Sequence, residues 1–140
     1  MNRRSGRGLR SDGNLSAVHS PGQTVERFMT AFIKAWPTKD ASGLMDFFCE
    51  DAVYHNIPLE PVRGKEAIRS TIEGFMEMGG TVEVEIANVV TNANLVVVER
   101  VDHFSQSGRK ASLAMMGIFE IREGLIAAWR DYFDLSNVRS

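Results

Sequence analysis

Three ionisable side chains stand where a soluble sheet has little use for charge. Over residues 95–104, side chains two apart share one strand face, so Val96, Val98, Arg100, Asp102 and Phe104 point together and two charges interrupt an apolar row. The opposite row, Leu95, Val97, Glu99, Val101 and His103, is nearly as apolar, and alternation alone leaves open which row faces inward. If it is the Arg100 row, the charges need compensation, because an isolated buried ion is too costly to keep. A partner exists in the last strand, where Trp129, Asp131 and Phe133 share a face. Tyr54 and Asn56, also two apart, add a hydroxyl and an amide able to hold a water. Two carboxylates beside one guanidinium could do general acid–base work, since neighbouring carboxylates resist ionising together. An ordinary ion cluster on a sheet surface is the plain alternative.

The elements that must position these groups follow from periodicity. Apolar residues at three- and four-residue steps predict a helix over Thr24–Trp36, ended by Pro37, and another over residues 65–78, stopped by Gly79-Gly80. Asp40 is the expected cap of a short helix running to Phe48, and a strand is expected over 53–57. Four further strands are predicted at 81–91, 95–104, 110–121 and 125–133, separated by the turn-prone Asn92-Ala93-Asn94, Ser107-Gly108 and Glu123-Gly124. Helices first and a meander afterwards imply an α+β domain, a cone-shaped, curved mixed β-sheet wrapped around N-terminal helices.

The chain is 140 residues with a formal charge of -2, which fits one domain and argues against nucleic acid as a partner. A flexible basic tail is expected over residues 1–20 and a single domain over 21–140. The tail carries Arg3, Arg4, Arg7 and Arg10 without the apolar run of a secretory signal, and no stretch reaches the length of a membrane span. Cys49 is the lone cysteine and the histidines number three, so no structural zinc set is available and a reducing cytoplasm is the expected location. His55 and His103 have the opposite parity to the polar set and are expected to be bystanders. Met29, Phe32, Phe75, Met76, Leu113, Met115 and Phe133 are the candidate lining of an apolar pocket. The row Ala114, Met116 and Ile118, if outward, suggests a homodimer through the sheet.

The runs Tyr54-His55-Asn56-Ile57-Pro58-Leu59, Glu99-Arg100-Val101-Asp102 and Trp129-Arg130-Asp131-Tyr132-Phe133-Asp134-Leu135, taken in order, resemble the three active-site motifs of limonene-1,2-epoxide hydrolases. The resemblance covers residues 24–135. It implies the cone-shaped fold shared with nuclear transport factor 2 and ketosteroid isomerase. It also implies hydrolysis of a small apolar epoxide by water without a cofactor, and a catalytic set of Tyr54, Asn56, Arg100, Asp102 and Asp131. In that set Asp131 is the base, Asp102 the acid, Arg100 the bridge, and Tyr54 with Asn56 hold the water. The same fold also serves ketosteroid isomerase-like and polyketide cyclase-like enzymes and noncatalytic modules that bind hydrophobic ligands.

Overall fold

The computed structural model describes residues 18–138, so most of the expected basic tail lies outside the described residues. The first helix, α1 (Pro21–Ala35), starts earlier than periodicity predicts because Ser20 caps it. The Ser20 hydroxyl accepts from the Gln23 N–H, the Gln23 side chain accepts from the Ser20 N–H, and Pro21 fills the first turn. Pro37 then lies in a 3-10 turn, Trp36–Thr38.

The short helix expected between Asp40 and Phe48 is instead a 3-10 segment, Ser42–Phe47, and Asp40 accepts from the Ser42 N–H without capping it. Phe48 already belongs to β1 (Phe48–Asn56). Its alternation is broken by two consecutive buried residues, Phe48 and Cys49, followed by two exposed acids, Glu50 and Asp51. The pairing slips at the same place, which hid the front half of the strand from a period-two reading. A two-residue strand, β2 (Val62–Arg63), leads through Gly64, at φ 92°, into α2 (Lys65–Met76).

The meander follows as β3 (Thr81–Asn92), β4 (Leu95–Gln106), β5 (Arg109–Arg122) and β6 (Leu125–Tyr132). Ser107 and Gly108, and again Glu123 and Gly124, all have positive φ, the conformation of two-residue hairpins whose twist matches that of their strands. The sheet order is β2-β1-β6-β5-β4-β3, antiparallel except for the parallel pair β1 and β6. The last strand therefore closes beside the first, in the middle of a curved, mixed six-stranded sheet, as the α+β expectation required.

One aromatic cluster fills the concave side. Phe28 from α1 meets the rings of Phe48, Phe119 and Trp129 at centroid separations of 5.4, 6.1 and 5.1 Å, all near edge-on. Trp129 also stacks between Phe119 (5.4 Å) and Tyr54 (4.3 Å). The core thus fixes the backbone of β6 and β1 where the polar residues begin.

Candidate active site

Burial decides the question that parity left open. Arg100 is 2% exposed, Asp102 6% and Asp131 3%, so the Arg100 row faces inward. The sheet brings the three together. Asp102 sits two residues along β4 from Arg100, and Asp131 reaches it from β6 across β5, over Gly117. Arg100 donates from Nε and Nη2 to the two oxygens of Asp102 at 2.9 and 3.3 Å. It donates from Nη1 and Nη2 to those of Asp131 at 3.1 and 2.8 Å. Each carboxylate therefore takes a two-pronged contact from one planar guanidinium, a match a lysine could not reproduce. Removing one partner from a buried pair costs roughly 3–5 kcal/mol, because the survivor is left uncompensated.

The two carboxylates are not equivalent. Asp131 Oδ1 accepts a third hydrogen bond, from Trp129 Nε1 at 2.8 Å, whereas Asp102 has only Arg100 among the described residues. Burial pushes the Asp102 carboxyl above its ordinary range, and the Asp131 charge adds to the push, against the pull of Arg100. One cation facing two carboxylates balances only one of them, and a proton on Asp102 neutralises the rest. Burial alone would lower the Arg100 pKa, yet the charges of Asp131 and Asp102 hold it above that of a free guanidinium.

Tyr54 and Asn56 are buried on β1, and Asn56 is the parallel-strand partner of Asp131. The Tyr54 hydroxyl donates to Asn56 Oδ1 at 3.4 Å. Burial raises the Tyr54 pKa and Asp131 raises it further, so the phenol stays an O–H. Among the described residues the Asn56 amide nitrogen donates to nothing, and it borders the cavity. His55 and His103 lie outside the site. His55 meets the Leu59 carbonyl, and His103 lies between Ser112 and Glu85 on the other sheet face.

These groups border a cavity of about 320 Å³, the size of a small-ligand site. Phe32, Phe75, Leu113, Met115 and Phe133 line it as expected, joined by Trp36, Leu59 and Phe104. Met29 and Met76 do not reach it. They are packed in the core at 4% and 0% exposure, where a stripe read from helical spacing cannot be told from a pocket wall. Met115 does more than line, because its Sδ accepts from Arg100 Nη2 at 2.8 Å.

Two further residues shape the site beyond the candidate set. Trp129, on the same strand face as Asp131, contributes its indole N–H as a donor. Gly117 makes room, since a Cβ there would overlap Arg100 Nη1 and lie 2.8 Å from Asp131 Oδ1. A glycine inside an otherwise regular strand is the signal that could have found it, since it marks a close approach by another group. Among the described residues no group of three His, Cys, Asp or Glu is placed to hold a metal ion, and no helix is long and apolar enough to cross a membrane.

Residues 25–129 match the profile of the SnoaL-like domain family. The chain is 31% identical over 107 residues to epoxide hydrolase EphG of Mycobacterium tuberculosis, a match covering 75% of this chain and 70% of that protein. An M. tuberculosis LEH-like epoxide hydrolase of known structure superposes with a TM-score of 0.65 at 26% identity, over 82% of this chain and 86% of the other. An NTF2-like protein from Anabaena variabilis superposes with a TM-score of 0.71 at 19% identity, over 80% and 87% of the two chains, and shows the fold alone.

Proposed function

Because the chain belongs to the SnoaL-like domain family, in its group resembling the limonene-epoxide hydrolases, we propose that it hydrolyses an apolar, cyclic or terpenoid epoxide to a vicinal diol. The observation that carries this reading is Arg100 shared between Asp102 and Asp131 at the wall of a mostly apolar cavity.

Opening an epoxide with water poses two difficulties. Water is a weak nucleophile, and the ring oxygen leaves poorly unless it is protonated, so a base and an acid must act in one step. In the proposed step a water held by Tyr54 and Asn56 gives a proton to ionised Asp131 as its oxygen attacks a ring carbon. The carbon–oxygen bond breaks, and Asp102 delivers its proton to the departing oxygen. The product is a diol. The proton gained by Asp131 then passes to Asp102, through solvent in the cavity, which restores both groups with no covalent intermediate. The raised pKa of Asp102 supports its part as the acid. The Trp129 bond and the Arg100 contacts fix the position of the Asp131 carboxylate.

The purified protein, given limonene oxide and cyclohexene oxide, is expected to yield the diols. Isomerisation of a steroid enone without any diol from an epoxide would overturn the reading in favour of an isomerase. Asp131→Asn is expected to lower turnover by about 10²- to 10⁴-fold with an unchanged circular dichroism spectrum. Near-normal rates in that variant would eliminate the base.

A further inference from the structure

The cavity is not apolar to its mouth. On β5 the inward row runs Met115, Leu113, Ala111, Arg109, and Met115 touches Arg100 while Leu113 is the cross-strand partner of Asp102. On β4 the corresponding row runs Arg100, Asp102, Phe104, Gln106, and Gln106 is the cross-strand partner of Arg109. Each row therefore leads from the reacting groups, past an apolar stretch, to a hydrogen-bond donor at the cavity rim, where Arg109, Gln106 and the next residue, Lys110, all line the opening. Among the described residues that line the cavity, Asp102 and Asp131 are the only acids, and both are taken up deep inside by Arg100. Neither Arg109 nor Lys110 has an ion-pair partner among the described residues.

We infer that the rim formed by Arg109, Gln106 and Lys110 is a subsite for an anion, so that the apolar body bearing the epoxide ends, remote from the ring, in a carboxylate or similar anionic group. The inference rests on the epoxide-hydrolase reading for the ring and on the rim for the charge. Leu113, level with Asp102, lies four residues from Arg109 and three from Lys110, which places the anion roughly 10–13 Å from the epoxide oxygen. Between them the substrate would lie along Leu113, Phe104 and Ala111, an apolar stretch suited to a hydrocarbon spacer. A guanidinium beside an amide fits a carboxylate with several N–H donors, and the two cations would also draw the anion towards the mouth.

The test compares a straight-chain epoxide bearing a terminal carboxylate at that separation with its methyl ester, both below their aggregation concentrations. The wild-type protein is expected to prefer the acid by roughly two- to fivefold in kcat/KM, the range of a partly exposed ion pair. That ratio should shrink with added salt, approach one in Arg109→Gln, fall partway in Lys110→Gln and invert in Arg109→Glu. Diol from both compounds with a ratio near one, or a ratio untouched by the Arg109 substitutions, would overturn the anion subsite while leaving epoxide hydrolysis standing. Should neither compound give diol, the hydrolase reading fails, and binding decides the subsite independently. Both tryptophans line the cavity, so their fluorescence reports occupancy. Decanoate is expected to titrate more tightly than decanol and to lose that advantage in Arg109→Gln, and equal affinity for the two would reject the subsite.

Discussion

Trp129 Nε1 donates to Asp131 Oδ1 at 2.8 Å from two residues away on the same strand face. The indole is held by stacking on Phe119 and Tyr54, so the core itself aims a donor at the carboxylate. Trp129→Phe keeps most of the apolar volume and removes the N–H. Turnover is expected to fall about tenfold, with a stability loss of about 1–3 kcal/mol from the lost hydrogen bond to a charged group, since Asp131 Oδ1 keeps its bond from Arg100. Steady-state kinetics and urea unfolding check the two effects separately, and unchanged kinetics would show that the Arg100 contacts alone orient Asp131.

Gly117 gives a sharper test. It is the cross-strand neighbour of Asp131, and the guanidinium of Arg100 passes over it to reach that carboxylate. In Gly117→Ala the added methyl overlaps Arg100 Nη1 and must displace the Arg100–Asp131 pair. Turnover is expected to drop by at least about tenfold, and the protein to lose roughly 1–3 kcal/mol. Wild-type activity in the alanine variant would mean that the pair need not hold this geometry during the reaction.

The pH profile follows from Asp102. An acid works only while protonated, and burial and Asp131 have raised its pKa. Activity is therefore retained through the ordinary carboxylate range and declines above it, by about tenfold per pH unit once Asp102 has ionised. The profile of kcat/KM against pH is therefore expected to carry a descending alkaline limb set by Asp102. A flat profile from pH 5 to 9 would contradict the acid–base pairing.

The outer sheet face carries exposed Ala114, Met116 (39%) and Tyr132 (43%), with Val97, Val101 and Ile118 half-buried beside them. A second copy of the chain is the proposed cover for this face. Sedimentation at micromolar concentration is expected to give a dimer and Met116→Glu to shift it towards monomer. A wild-type monomer at that concentration would exclude this assembly.

The grouping of the polar residues on shared faces was legible because the period of a strand is two and they keep it on three separate strands. Their parity grouped Tyr54 with Asn56, Arg100 with Asp102, and Asp131 with Trp129. Which row faced inward was not legible, because Val97 and Val101 are as apolar as Val96 and Val98. Only the packing of α1 and the Phe28 cluster against one side of the sheet distinguishes them. The start of β1 was obscured by its irregular pairing at Phe48–Val53, and β2 is too short to show a period. Met29 and Met76 illustrate the other blind spot, since helical spacing reports burial and not whether the buried face meets protein or an opening.

The pairing of β6 with β1 has a consequence for how activity is gained during synthesis. β6 is synthesised after every other strand of the sheet yet slots into its centre, and it brings Asp131, the neighbour of Asn56, with it. Such a distant contact must overcome a large loop-closure entropy, so it forms late in folding. Until then Arg100 and Asp102 lack their third partner, and a chain released before residue 125 would hold them without Asp131. Assembly of the buried charge cluster and completion of the fold are therefore a single event.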